Sequence, residues 1–91
     1  METEILEVKK TKIKTDVGAK LVLHNDDWNS FDHVILSLIE VCQHDSCQAE
    51  QCALIVHSKG ECVVKTGDSA VLEKMKNELN RRDLLVTLDK Q

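Results

Sequence analysis

The chain has no long apolar run. No window approaches the roughly 20 apolar residues that a membrane-spanning helix needs. The amino terminus, METEILEVKKTKIKTD, carries acidic residues where a secretory signal would carry lysine or arginine, and it has no apolar segment after them. These absences argue against a membrane or exported protein. They predict a soluble cytoplasmic protein, in which cysteines are thiols rather than disulfides.

An excess of basic residues is also missing. The sequence has 16 acidic and 12 basic residues, for a formal net charge of -4. Because binding to nucleic acid relies on a basic face that neutralises phosphates, nucleic acid is not a predicted partner. A chain of 91 residues forms one domain with a single modest core, so it has little room for a second lobe or a deep enzyme cleft.

The four cysteines never form a Cys-x-x-Cys pair. Cys42, Cys47, Cys52 and Cys62 have wider separations than the close pairs of structural zinc sites. Cys42 and Cys52 fall on predicted apolar helix faces, where a free cysteine packs as a small hydrophobe. Core packing is therefore the favoured role, and metal binding with nearby His44 is the alternative. The sequence predicts no metal and no cofactor.

Glycines punctuate the chain at few positions, and the apolar pattern between them predicts the order β-α-α-β-α-β. Short runs rich in valine and leucine predict strands over 20–24, 61–65 and 84–88, with Thr66-Gly67 ending the second. The fold class is therefore α+β. We expect a small three-stranded antiparallel sheet with three helices packed on one face.

Helical spacing and capping residues locate the three helices. Asn29 or Ser30 can cap the first helix, Asp45 can cap the second, and Gly60 suits the end of the second. The third helix is predicted from about Asp68. The expected buried faces are Phe31, Val34, Ile35, Leu38 and Cys42 in the first helix, Ala49, Cys52, Ala53 and Val56 in the second, and Val71, Leu72, Met75 and Leu79 in the third.

The segment LVLHNDDWNSF combines a polar run with two aromatic residues. Residue types alone favour a plain turn for Asn25-Asp26-Asp27, since these side chains satisfy backbone N–H groups. The functional alternative is a group of oxygens around a cation, with ammonium preferred over calcium, which needs more regularly alternating ligands. Trp28 is compatible with half-exposed packing or with the rim of a binding site.

His57, in the segment LIVHSKG, lies where the second helix is expected to end. A histidine at that position most often supplies a favourable charge near the helix C-terminus. A Cys-His nucleophilic pair would also need an oxyanion hole and an orienting group, and no motif supplies them. Catalysis is therefore not predicted.

The segments LVLHNDDWNSFDHV, QAEQCALIVHSKGECVV and LLVTL occur in this order over about residues 19–91. Together they resemble the ClpS family of Clp protease adaptors, most closely its compact Bacteroidetes-type members. The resemblance implies a probable monomer with no enzyme activity that hands N-end-rule substrates to a Clp AAA+ unfoldase by binding the unfoldase's N-terminal domain. Residues 1–18 would correspond to the family's mobile N-terminal extension, with the adaptor core over 19–91.

Carried over by motif, the resemblance also implies a binding site. Family members bind a free α-amino group and a large hydrophobic first residue, which is Leu, Phe, Tyr or Trp. Asn25, Asp26 and His57 would bind the amino group, and His57 must be neutral to accept a hydrogen bond, so binding should weaken at low pH. The hydrophobic pocket would consist of Asp27, Asn29, Phe31, Val34, Ala53, Val56 and Leu84.

Two pocket positions depart from the better-known members, which usually have methionine where Phe31 and Ala53 stand. The preferred first residue therefore stays open. One alternative is a domain like the C-terminal domain of the ribosomal stalk protein, which shares the element order and recruits translation factors but lacks the Asn-Asp-Asp and Val-His pair. Another is a small Cys/His metal protein.

Overall fold

The computed structural model describes residues 18–90 and shows the predicted order of elements. These are β1 (Gly18–His24), α1 (Phe31–Cys42), α2 (Ser46–Lys59), β2 (Glu61–Asp68), α3 (Ser69–Arg81) and β3 (Val86–Lys90). The predicted α+β class is confirmed. Gly18, which the sequence assigned to the extension, belongs to β1, and the rest of the predicted extension lies outside the described residues. No helix in the described range is long and apolar enough to cross a bilayer.

The sheet has β1 in its centre. The strand order is β2-β1-β3, and both neighbours run antiparallel to β1. Alternate residues of β1, namely Ala19, Leu21 and Leu23, are almost completely buried and join the core that the helices cover. This alternation follows from the two-residue period of a strand with one face on the core.

Local capping residues fix the helix ends. Ser30, rather than Asn29, caps α1 by accepting a hydrogen bond from the His33 N–H, and Asp45 caps α2 in the same way with Gln48. Gly60 ends α2 in the left-handed region with φ of 95°, as predicted. Gln43 ends α1 with φ of 60°, in the same region, without being glycine.

The predicted core faces of α1 and α2 are largely confirmed. Ala49, Cys52, Ala53 and Val56 are buried, as are Leu38 and Cys42. Val71 was predicted to belong to the buried face of α3 and is half-exposed, because the face that packs on the sheet is centred on Leu72 and Leu79.

Two strand boundaries were predicted wrongly. Thr66-Gly67 does not end β2, because Gly67 and Asp68 pair with Ala19 and Gly18 of the central strand. The third strand begins at Val86 rather than at residue 84. Leu84 belongs to the connection from α3, where its N–H donates to the Leu79 carbonyl.

The α1–α2 connection is tied to β2 through a buried histidine. His44 is 3% exposed, and its Nε2 donates to the Val64 carbonyl at 2.7 Å. The backbone N–H of His44 donates to the Leu38 carbonyl. His44 therefore has a structural role that accounts for its burial, and the two helices that it connects are positioned against the edge strand.

Candidate functional site

A cavity of about 290 Å³ lies where the end of β1 meets α1 and α2. Its lining includes all ten residues that the sequence suggested for the site. The loop after β1 contributes four of them, α1 and α2 contribute five, and the connection before β3 contributes one. In chain order they are Asn25, Asp26, Asp27, Asn29, Phe31, Val34, Ala53, Val56, His57 and Leu84.

The apolar part of the cavity lies between the two packed helices. Ala53, Val56 and Leu84 are nearly completely buried, whereas Phe31 is 39% exposed. Val34 is half-buried on the face of α1 that packs against the core. Since Ala53 has only a methyl side chain, it leaves more space than the methionine usual in the family would leave.

Asp26 organises the loop that closes one side of the cavity. Its Oδ1 accepts hydrogen bonds from the Trp28 N–H and the Asn29 N–H, each at 3.0 Å. Its Oδ2 accepts one from Asn29 Nδ2 at 2.8 Å. Partial burial raises the pKa of Asp26, but the hydrogen bonds from Asn29 and Trp28 outweigh this effect, so its pKa lies below the ordinary value.

Asn29 joins this loop to the far side of the cavity. Besides its bond to Asp26, its Nδ2 donates to the Asp83 carbonyl at 2.9 Å. Asp83 directly precedes Leu84, which lines the cavity. Both amide hydrogens of Asn29 are therefore engaged within the protein, and its side-chain oxygen is the atom that can still act as an acceptor.

Asn25 and His57 supply the exposed polar groups of the lining. A backbone hydrogen bond from the Asn25 N–H to the Gly60 carbonyl, at 2.8 Å, joins the end of β1 to the residue that ends α2. His57 lies in the last turn of α2, so this bond holds the two side chains on one side of the cavity. Both residues are exposed and can accept a hydrogen bond from a ligand.

His24 and Leu23 also line the cavity and were not among the predicted site residues. The His24 Nε2 lies 2.8 Å from Thr87 Oγ1, and Nδ1 lies 3.5 Å from a Glu61 carboxylate oxygen. Sequence reasoning treated His24 as the last residue of an ordinary strand. Its position directly before Asn25 was the only available signal, because Thr87 and Glu61 meet it only across the sheet.

The cysteines do not contribute to this cavity. Burial raises the pKa of Cys42, and burial together with the neighbouring Cys62 raises the pKa of Cys52 to about 12. These two thiols stay protonated at neutral pH and pack in the core, as the sequence predicted. Within residues 18–90, no group of three or more histidine, cysteine or acidic side chains is arranged to hold a metal ion.

Comparison with known proteins identifies the family. The family model described as "ATP-dependent Clp protease adaptor protein ClpS" matches residues 14–87. The chain belongs to the ClpS family. Membership makes it an adaptor protein rather than an enzyme, and it decides against the ribosomal-stalk alternative.

Curated ClpS proteins match nearly the whole chain. The ATP-dependent Clp protease adapter protein ClpS of Vibrio atlanticus (strain LGP32) is 30% identical over 93 residues, which cover 96% of this chain and 88% of the relative. ClpS of Vibrio cholerae serotype O1 (strain ATCC 39541 / Classical Ogawa 395 / O395) is 32% identical and covers 94% and 87%.

A solved structure of another ClpS protein shares the fold. Agrobacterium tumefaciens ClpS2 bound to L-phenylalaninamide superposes with a TM-score of 0.77 at 21% sequence identity. The match covers 84% of this chain and 99% of that one. The described ClpS fold is therefore complete in residues 18–90, apart from any contribution of the residues that precede them.

Proposed function

We propose that this ClpS protein binds proteins through a free α-amino group and a large hydrophobic first residue, and delivers them to a Clp AAA+ unfoldase. The observation that supports this most directly is the composition of one cavity. Hydrogen-bond acceptors from Asn25, Asp26 and His57 and an apolar wall from α1 and α2 line the same space of about 290 Å³.

The polar side of the cavity suits an ammonium group. A protonated amine is a three-donor cation, which requires acceptors and is favoured by nearby negative charge. Asn25 offers an amide oxygen and His57 offers a neutral ring nitrogen. Asp26 keeps one unused acceptor position on Oδ2, because Oδ1 already accepts two hydrogen bonds and Oδ2 accepts one.

The apolar side suits the first side chain. Ala53, Val56 and Leu84 are rigid, buried groups, and Phe31 forms the more exposed wall. Burying a large hydrophobic side chain contributes about 1.5 to 3 kcal/mol, whereas a small or charged first residue would gain less or lose its hydration. The ligand of Agrobacterium tumefaciens ClpS2, L-phenylalaninamide, carries both an α-amine and a large apolar side chain.

Delivery would use a separate surface. We propose the N-terminal domain of a Clp AAA+ unfoldase as the partner, on the basis of the family, together with residues 1–17 as the segment that the unfoldase engages. No residue of α3 contributes to the cavity, so that helix is free to contact a partner while a substrate is bound. Binding and delivery are therefore separable in experiments.

The test is fluorescence anisotropy with peptides that differ only in the first residue. We expect peptides starting with leucine or phenylalanine to bind, and peptides starting with alanine or glutamate to bind at least about tenfold more weakly. N-acetylation of the leucine peptide should abolish binding, because it removes the charge and two of the donors. Equal affinity for the acetylated peptide would disprove the proposal.

A pair of variants tests the polar side. His57→Ala should weaken binding of the leucine peptide by about tenfold, the value of one hydrogen bond to a charged group. Lys59→Ala is the matched control, since Lys59 is exposed in the same helix turn and does not line the cavity. It should leave the affinity almost unchanged.

A further inference from the structure

Trp28 is the only tryptophan in the chain, and it is 85% exposed. The other exposed large hydrophobic side chains in the described range are only 37–53% exposed. An indole in this position contributes little to the core, and its apolar surface stays in contact with water. Its flanking residues Asp27 and Asn29 both line the cavity, so Trp28 stands at the rim.

The backbone beneath Trp28 is held firmly. Its N–H donates to Asp26 Oδ1, and the next residue, Asn29, donates to both Asp26 and the Asp83 carbonyl. The loop therefore presents the indole outward from a fixed turn. A fixed aromatic side chain loses little conformational entropy when a ligand packs on it, which makes it an effective contact.

The direction of a bound peptide determines what reaches Trp28, and this step rests on the proposed function. With the first side chain between α1 and α2 and the amine at Asn25 and His57, the rest of the peptide must leave through the mouth of the cavity. The loop with Trp28 forms one side of that mouth. The residues immediately after the first are therefore the groups that can cover the indole.

We propose that Trp28 is a second contact point for the bound protein, which packs against the side chain of residue 2 or 3 and favours arginine there. An indole face binds apolar surface and cations, and a guanidinium combines both properties. The neighbouring carboxylates of Asp27 and Asp32 are exposed and attract the same charge. Trp28 thereby extends recognition beyond the first residue.

The decisive comparison uses two ligands that differ only in length past the first residue. Leucinamide fills the cavity alone, and a peptide beginning Leu-Arg-Arg also covers the rim. Trp28→Ala should lower the affinity for the peptide by about fivefold, a typical value for an exposed cation–π contact, and leave leucinamide binding unchanged. Trp28→Phe should restore most of the peptide affinity. Val71→Ala, an exposed position in α3, is the control that should change neither.

Each result decides the matter. If Trp28→Ala weakens both ligands equally or neither, the second contact is disproved while the proposed function stands. If neither ligand binds the unsubstituted protein, both proposals fall. Circular dichroism should show that Trp28→Ala folds normally, because the side chain buries little surface.

Trp28 fluorescence gives an independent measurement on the unsubstituted protein, since no other indole is present. Binding of the Leu-Arg-Arg peptide should change the intensity or wavelength of the emission, and leucinamide should change it much less. Replacing both arginines by serine should reduce the change. An identical response to all three ligands would contradict the contact.

Discussion

Asp26 connects loop structure and recognition at the scale of one residue. Three hydrogen bonds from Trp28 and Asn29 converge on its carboxylate, which fixes the loop that borders the cavity. The same interactions leave one acceptor position for a ligand. An aspartate here is consequently a loop-forming residue first, and any role in amine binding depends on that structure.

The depressed pKa of Asp26 predicts how its contribution varies with pH. Because the pKa is lower in the folded chain than its ordinary value of 3.8, the carboxylate stabilises the fold above that value, and this contribution is lost as the pH falls through the folded-state pKa. Asp26→Ala should lower the urea midpoint at pH 7, and the difference from the parent protein should shrink below about pH 3.

The neighbouring residue provides the control for this experiment. Asp27 is exposed, so Asp27→Ala should change the urea midpoint much less at either pH. A deficit of Asp26→Ala that is as large in acid as at neutral pH would show that the lost contacts do not depend on ionisation.

Ala53 determines how deep the cavity is. Its side chain is 3% exposed and lines the apolar wall, so Ala53→Met would fill space that a first residue would otherwise occupy. We expect the preference among first residues to shift toward smaller side chains, with tryptophan and phenylalanine peptides losing about tenfold relative to leucine. Anisotropy with a peptide series measures this ranking.

Leu54 is the matched position outside the cavity. It follows Ala53 in α2 but is 49% exposed and does not line the cavity, so Leu54→Met should preserve the ranking. An unchanged ranking in Ala53→Met as well would place the first side chain elsewhere.

At the scale of the elements, the two helix ends offer a direct comparison. Gln43 and Gly60 both end a helix in the left-handed region, with φ of 60° and 95°. A side chain there is unfavourable, and glycine avoids the cost. Gln43→Gly should therefore stabilise the protein by about 0.5 to 1 kcal/mol, and Gly60→Ala should destabilise it by about 1 kcal/mol.

Urea unfolding followed by circular dichroism measures both changes. No atom lies near the position that a Gly60 side chain would take, so a loss there reports backbone conformation rather than a clash. If Gln43→Gly has no effect or is destabilising, the Gln43 side chain makes a compensating contribution.

The same elements show what the sequence could predict. Helix ends were predicted well because capping signals are local, as Ser30, Asp45 and Gly60 illustrate. Strand ends were predicted poorly because pairing with β1 decides them. Gly67 looked like a terminator, yet it continues β2 because Ala19 lies opposite.

The candidate site required information that no local pattern holds. Asn25 and His57 come from distant parts of the chain and meet through the Asn25–Gly60 backbone hydrogen bond, so the family resemblance, rather than residue spacing, brought them together. His24 was missed for a similar reason, because its partners Thr87 and Glu61 belong to the two neighbouring strands. The hydrogen bonds that occupy Asp26 were likewise visible only in the structure.

At the scale of the whole molecule, charge and cavity position act together. The chain carries a formal net charge of -4, and the carboxylates of Asp26, Asp27 and Glu61 lie in or beside the cavity lining. A free amino terminus with basic residues behind it is attracted from a distance, which accelerates association more than it slows dissociation. Salt should oppose this attraction.

Raising NaCl from about 0.05 M to about 0.5 M should weaken binding of a cationic leucine peptide by severalfold, mainly through the association rate, because the screening length falls well below 10 Å. Stopped-flow anisotropy separates the two rates. A leucine peptide whose later residues carry net negative charge is the control, and its association should be unchanged or faster in salt. If the cationic peptide associates equally fast at both salt concentrations, short-range hydrogen bonds alone account for recognition of the amino group, and the acidic character of the molecule has no part in it.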